Sequence, residues 1–567
     1  MNRTKLLPAG RAASLFLAVA AALLAGLRAG AQGVQHLSVT WPGGMPGETN
    51  FITGTNLVTN GVQVTWDGPS GYYQLFESPS LEHPVWKALG KRTNLVRTAT
   101  VAARYSNSFF QVRGPLPRYT GSQTCAECHE PILKTVKLTR HASAFSNELF
   151  EADGGQTNSS CLACHTAGFG LKTGFVSQKK TPHLAGVQCE NCHGPAASHA
   201  ANPDDPSVRP RAEVASQVCG GCHNDTDNPT FGTFAEWTNS AHALVTNLLI
   251  TNFNASKQMV VTNLDVNDTN LINGCGRCHS GSVRLSLLEN QTKELPTNDA
   301  DIGIVCATCH DPHQTNAYLV QLRNPVSSTN DYFMPTNGAF ASFYQTNINI
   351  CAQCHNHAGA SWTNNECEPH HSLQYNMLLG TIGESEFGLP PYMPGAHALL
   401  ITNQCAGCHM QTTPFVSDAQ PGDTGHSFKV GTNYAVCINC HYTTNTPLNQ
   451  FLMTIVVTAV TEEISNEIQA VKFDLDYWAT NKAPASLMDK YKTLAWEYTT
   501  PGGLSSGGPG PNAEEQLLIP DTIRMARFNL YVVQNDGTFG IHNPDYAATL
   551  LETADAWIYE ALGEAMP

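Results

Sequence analysis

Between residues 125 and 441 the pattern Cys-x-x-Cys-His occurs nine times, and no other feature constrains this chain as much. In order, the copies carry Cys125, Cys128 and His129; Cys161, Cys164 and His165; Cys189, Cys192 and His193; Cys219, Cys222 and His223; Cys275, Cys278 and His279; Cys306, Cys309 and His310; Cys351, Cys354 and His355; Cys405, Cys408 and His409; and Cys437, Cys440 and His441. At this spacing both thiols lie on one side of a short helical turn, where they can add to the two vinyl groups of one haem. The histidine that follows can present its imidazole to the iron as proximal ligand. The pattern is the c-type haem attachment signature, so the expected cofactor is haem c, nine copies, covalently bound.

Cys-x-x-Cys also serves in zinc sites and thiol–disulfide redox pairs. Neither chemistry requires histidine directly after the second cysteine, yet all nine pairs have it. Of 19 cysteines only Cys367 lies outside the motifs, so cysteine here reports haem attachment and not disulfide stapling. The formal net charge is −15, with no basic run beyond the N-terminus. That argues against a nucleic-acid partner and against an anionic membrane surface.

The first 31 residues read as a signal peptide. Arg3, Lys5 and Arg11 form a positive region, Ser14 to Leu27 is apolar, and Ala29-Gly30-Ala31 suits cleavage, with the mature chain starting near Gln32,. An uncleaved anchor is the alternative. Export to the periplasm or beyond the cell agrees with the motifs. Past this segment the longest apolar run, Phe451 to Val460, is half of what a membrane span needs, so no transmembrane span is expected in the mature chain,.

The expected fold class is mixed and multidomain: a small N-terminal β-sandwich, a mainly helical and loop-rich multihaem region, and a C-terminal α-helical bundle. Residues 33–115 lack cysteine and alternate as strands do, as in Val62, Val64 and Trp66,. Strands are expected near Phe51–Thr53, 62–66, 72–76, 85–89, 95–101 and 108–112, with a turn at Asp67–Gly71,. His36 and His83 read as surface residues. Within residues 119–445 the motifs follow one another too closely for each haem to own an apolar core, so the haems themselves must stack, wrapped by short helices. Residues 446–567 read as helices packing on the haem region. Thr446 as cap and Pro447 at the first turn open a long helix to about Thr480; others run about Ala485 to Tyr498 and Thr522 to Gln534,. Pro501 to Pro511 reads as a flexible loop, and Asn543 with Pro544 opens a last helix with Tyr546, Leu550, Leu551, Ala554, Trp557, Ile558 and Ala561 on one face,.

Beyond the nine motif histidines, eleven lie in or after the haem region. That barely exceeds the demand for second axial ligands. His141, His199, His242, His313, His397, His426 and His542 are placed ahead of His183, His357, His370 and His371. Met410, directly after His409, points away from the same iron.

The haem region and C-terminal helices resemble the multihaem cytochrome superfamily of pentahaem nitrite reductases, hydroxylamine oxidoreductases, octahaem tetrathionate and nitrite reductases, and the tetrahaem carriers of nitrifying bacteria. The resemblance rests on Tyr119-Thr-Gly-Ser-Gln-Thr-Cys125 to His129, Gly186 to Pro195 with His199, Trp237 to His242, and Val305 to His313. It continues through Cys351 to His355, Cys405 to Met410 with Gly425 to Phe428, Ala526 to Leu530, and Gly540 to Pro544. It implies haem pairs packed alternately parallel and perpendicular, wrapped by C-terminal helices, with His542 as an axial ligand. No Cys-x-x-Cys-Lys motif is present, no tyrosine matches the cross-linking one of hydroxylamine oxidoreductases, and nine motifs exceed the usual eight. These departures favour an exported electron carrier. An oxidoreductase acting on small nitrogen or sulfur oxyanions at one open haem is the alternative, and a subunit of a conductive extracellular filament or surface complex is another. The expected partners are redox proteins, either other cytochromes or a quinol-oxidising complex, and a homo-oligomer is an option.

Overall fold

The structure is a computed structural model. It describes six strands between residues 52 and 113, most of residues 118–243, short stretches within 276–285 and 303–323, and most of residues 350–564. The signal peptide, His36, His83, Cys275 and the expected turn at Asp67–Gly71 lie outside the described residues. Two compact units are present, Met1–Glu127 with Thr166–Arg211, and Cys128–His165 with Ala212–Pro567.

In the first unit the strands are β1 (Ile52–Val58), β2 (Gly61–Trp66), β3 (Tyr73–Ser78), β4 (Lys87–Thr93), β5 (Thr98–Val101) and β6 (Phe109–Arg113). They form two three-stranded antiparallel sheets, in the orders β1-β2-β5 and β4-β3-β6. Leu75 stands opposite Leu89 on one side and Val112 on the other. All three are buried, a cross-strand apolar cluster that fixes the register of the second sheet,.

The rest of the first unit is organised by a buried carboxylate. Glu190 lies between the cysteines of its motif and is 2% exposed. It accepts backbone N–H groups from Thr120 (3.0 Å), Gly121 (2.8 Å) and Ala196 (2.8 Å). Gly121 has φ +81°, and a Cβ there would sit 2.6 Å from the carbonyl oxygen of His183. Only glycine suits both demands.

In the second unit four helices, α1 (Gln450–Asn481), α2 (Ala485–Tyr491), α3 (Asp521–Asp536) and α4 (Pro544–Leu562), share one apolar core. Along α1, Ile464, Ile468, Val471, Leu475, Trp478 and Ala479 are buried at helical spacing,. Nearer its start, Phe451, Leu452, Ile455 and Val456 are exposed. The helix does not begin at Thr446-Pro447. Those residues pair with Tyr442–Thr443 in a short antiparallel ladder, and the cap is Asn449, whose Oδ1 accepts the N–H of Leu452 at 2.9 Å,.

Two further expectations are corrected. The second helix stops at Tyr491 instead of Tyr498, because Lys492 takes a positive φ of +55° and the chain continues as a 3₁₀ turn, Lys492–Trp496. That change of direction buries Trp496, which donates to Asp476 Oδ1 at 2.8 Å. The segment Pro501 to Pro511 is held at its described residues: Gly503 N donates to Glu368 (3.1 Å), Gly510 N to the Thr499 carbonyl (3.2 Å), and Thr499 Oγ1 to the Pro511 carbonyl (2.9 Å). Glycine-rich composition here serves close backbone packing and not looseness.

Helix α3 is buried on nearly every side. It carries a fully buried guanidinium, Arg527, which donates to the Trp496 carbonyl (2.9 Å), Gln516 (3.1 Å) and Asn365 (3.0 Å) and lies 3.8 Å over the Tyr498 ring. Buried charge of this kind is tolerated only when so compensated. Asn543 stands at the N-cap of α4, where its carbonyl accepts the N–H of Ala547 at 3.0 Å, while its side-chain Nδ2 donates to the Met393 carbonyl at 2.7 Å. Among the described residues no helix is long and apolar enough to cross a membrane.

Candidate metal centres formed by histidine pairs

The motifs lie on or against helices, most of them short: Ser122–Val136, Ser159–His165, Cys189–His193, Gln217–Gly220, Gly276–His279, Cys306–Cys309, Gln404–His409 and Ala435–Ile438, with Cys351 also in helical conformation. One turn of helix brings the two thiols to the same side. Some of these short helices are capped from within the motif. Asn191 Oδ1 accepts the N–H of Gln188 at 2.8 Å, and Thr308 Oγ1 accepts that of Val305 at 3.1 Å. The first helix kinks at His129, two residues before Pro131,.

Motifs meet through their first cysteines. The side chains of Cys125 and Cys189 are in contact, as are those of Cys219 and Cys306, and of Cys351 and Cys405. Two of these pairs share a device. Ser122, three residues before Cys125, accepts the N–H of Cys189 at 3.0 Å, and Ser216, three residues before Cys219, accepts that of Cys306 at 3.0 Å.

Six motif histidines of the second unit each face a second histidine. The ring centroids are 6.1 Å apart for His223 and His141, 6.1 Å for His355 and His242, and 6.0 Å for His279 and His370. They are 6.2 Å apart for His310 and His426, 6.2 Å for His441 and His397, and 6.4 Å for His409 and His542. Rings in direct contact stand closer, as His370 and His371 do at 4.3 Å. Two metal–nitrogen bonds of about 2 Å, each nitrogen roughly 1 Å from its ring centre, put the centroids about 6 Å apart. The gap in each pair therefore fits one iron between two imidazoles.

Hydrogen bonds orient these rings. Nδ1 of His409 donates to the Phe428 carbonyl (3.0 Å), that of His397 to the Ile541 carbonyl (3.0 Å), and that of His426 to the Thr424 carbonyl (3.1 Å). Nδ1 of His355 donates to Gln374 Oε1 (3.1 Å) and that of His370 to Ser372 Oγ (3.0 Å). A proton held on Nδ1 leaves the Nε2 lone pair for metal. Burial, and then the facing His355, pushes His242 down to about 4; burial, and then His223, lowers His141. Both imidazoles are thus kept neutral, the form that binds iron.

His542 differs. Its Nδ1 lies 2.7 Å from Oδ1 of Asp536, a carboxylate whose side chain is 1% exposed. Burial opposes protonation of His542, but the carboxylate outweighs it and holds the imidazole above its ordinary range. The other Asp536 oxygen accepts the Thr538 hydroxyl. Gln374, which accepts from His355, donates to the Asp536 carbonyl at 3.2 Å, so the surroundings of two neighbouring pairs are joined.

Of the seven non-motif histidines placed first, five fall in these pairs: His141, His242, His397, His426 and His542. The geometry adds His370, which the sequence ordering placed lower. His199 has a buried Nδ1 with no hydrogen-bond partner, and His313 Nδ1 stands 3.6 Å from Asp311. His165 donates Nδ1 to the Ala144 carbonyl (2.7 Å) and stacks on Phe150 at 4.1 Å. Sequence reasoning passed over Ser122, Ser216, Gln374 and Asp536. The two serines carried a signal, a hydroxyl at the same offset before two motifs.

Residues 124–194 and 218–311 match the family described as cytochrome c554 and c-prime. Cytochrome c-554 of Nitrosomonas europaea is 32% identical over 90 residues, 14% of this chain and 38% of that protein. The C-type polyheme cytochrome OmcB of Geobacter sulfurreducens is 28% identical over 220 residues, 35% of this chain and 25% of that protein. The chain thus spans less than half the length of each of these relatives. The crystal structure of the outer cell wall cytochrome OcwA superposes with a TM-score of 0.48 at 18% identity, over 78% of this chain and 99% of that one.

Proposed function

Because the chain is a multihaem c-type cytochrome binding haem c, we propose that it relays electrons along nine haems, one attached at each Cys-x-x-Cys-His motif,. Iron held by two imidazoles exchanges one electron between its ferric and ferrous states with little change in geometry. The observation that carries this reading is the set of six histidine pairs at 6.0–6.4 Å. In each, the motif histidine would be the proximal ligand and its partner the distal one: His223 with His141, His355 with His242, His279 with His370, His310 with His426, His441 with His397, and His409 with His542. His129, His165 and His193 would be proximal ligands of the remaining three, with His199 and His313 as candidate distal ligands. Hydrogen bonds to Nδ1 fix the rings for this task.

The cysteine contacts support pairing of the first haem with the third, the fourth with the sixth, and the seventh with the eighth. We read residues 119–445 as the haem region, 446–567 as its helical wrapper and the strands of 33–115 as a sandwich-like docking module. Export by the N-terminal segment would place the protein in the periplasm or outside the cell, with other cytochromes or a quinol-oxidising complex as redox partners. Electron paramagnetic resonance of the fully oxidised protein tests the relay. Low-spin signals from at least six irons are expected. A dominant high-spin signal, with carbon monoxide binding to the reduced wild type, would instead favour catalysis on a small oxyanion at an open iron.

A further inference from the structure

We propose that Asp536 is a positioning residue that lowers the reduction potential of the iron held by His409 and His542 below that of the neighbouring iron held by His355 and His242. The inference rests on the ligation proposed above. Among the pairs with a hydrogen-bonded Nδ1, the acceptors are backbone carbonyls, an amide or a hydroxyl at 3.0–3.1 Å, all neutral. His542 instead donates to a carboxylate, at 2.7 Å. Asp536 is almost fully buried, so water does not screen its charge,. Its second oxygen is occupied by Thr538, which fixes the carboxylate plane toward the ring.

A carboxylate accepting from Nδ1 draws the proton toward itself and leaves imidazolate character on the metal-facing nitrogen. That stronger donor favours ferric over ferrous iron. The neutral acceptors of His355, His397 and His409 exert no comparable pull. The His355–Gln374–Asp536 connection places the tuned site beside the His355 and His242 pair, whose Cys351 touches Cys405. The low-potential iron would therefore sit next to one of ordinary potential, a downhill step built into one stacked pair.

Spectroelectrochemical titration of the intact nine-haem protein tests this. Asp536→Asn should raise one midpoint, shifting its oxidised-to-reduced ratio at fixed poise by tenfold or more, about 59 mV per decade for a one-electron couple. That iron should stay low-spin, and Asp536→Glu should return the midpoint toward wild type. Thr538→Val should move the same midpoint the other way, because a carboxylate relieved of the hydroxyl pulls harder on His542. It carries the test if Asp536→Asn does not fold. Midpoints unmoved by these substitutions, while His542→Ala still creates a high-spin iron, would overturn the inference and leave the ligation standing. No high-spin iron in His542→Ala would overturn the ligation itself.

Discussion

The hydroxyl of Ser216 accepts the backbone N–H of Cys306 at 3.0 Å, joining the first residue of one attachment motif to the approach of another. The same bond links Ser122 to Cys189. Removing a hydroxyl leaves a partly buried N–H unsatisfied, at a cost of roughly 1–2 kcal/mol. Ser216→Ala should lower the denaturant midpoint of the protein while haem content stays unchanged. A midpoint equal to wild type would mean that solvent replaces the bond.

Haem stoichiometry follows from thioether chemistry alone. Intact mass should show nine haems per chain, since nine complete motifs are present. Cys367 is exposed and free, so Cys367→Ala should keep all nine. A mass short by one haem in that variant would assign it an attachment role.

His370 and His371 are neighbours whose rings stack at 4.3 Å, yet only His370 stands 6.0 Å from His279. His370→Ala should turn one low-spin iron high-spin and open it to carbon monoxide. His371→Ala should leave the spin states as they are. The reverse result would exchange the two assignments.

Helices α1 and α4 bring three carboxylates together. Burial, and then Asp474 and Glu467, pushes Asp555 up to about 7; burial also raises Asp474, and burial with Glu463 and Glu552 raises Glu467. Asp555 therefore holds its proton more tightly folded than unfolded. Its contribution is fully present below the unfolded value near 4 and is lost as pH rises through about 7,. The helical core should be less stable at pH 8 than at pH 5. Asp555→Asn should flatten that dependence, as followed by tryptophan fluorescence in denaturant. An equal slope in both proteins would refute it.

Local patterns were legible where one physical demand dominated. A long helix ending near Thr480 and the buried face of α4 were visible because apolar periodicity alone decides them. The start of α1 was not, since Thr446-Pro447 and Asn449 offer equal capping chemistry and a two-residue ladder decides between them. Nor could spacing place His370 opposite His279. Which histidine reaches which motif depends on how distant segments fold back, and no local pattern encodes that. Asp536 lay in an Asn-Asp-Gly sequence that reads as a helix stop, and its contact with His542 exists only because the chain turns at Gly537.

The pairs also cross along the chain. His242 reaches past His279 and His310 to His355, while His279 reaches His370 and His310 reaches His426. With iron in these gaps, any single cut between His310 and His355 would be spanned three times by coordinate bonds. Limited proteolysis there should give fragments that separate on a denaturing gel but elute together from a native column, and separate elution would show that the pairs do not bridge the cut. The peptide backbone would then be one tie among several, and mechanical continuity of the haem region would outlast the loss of its covalent thread.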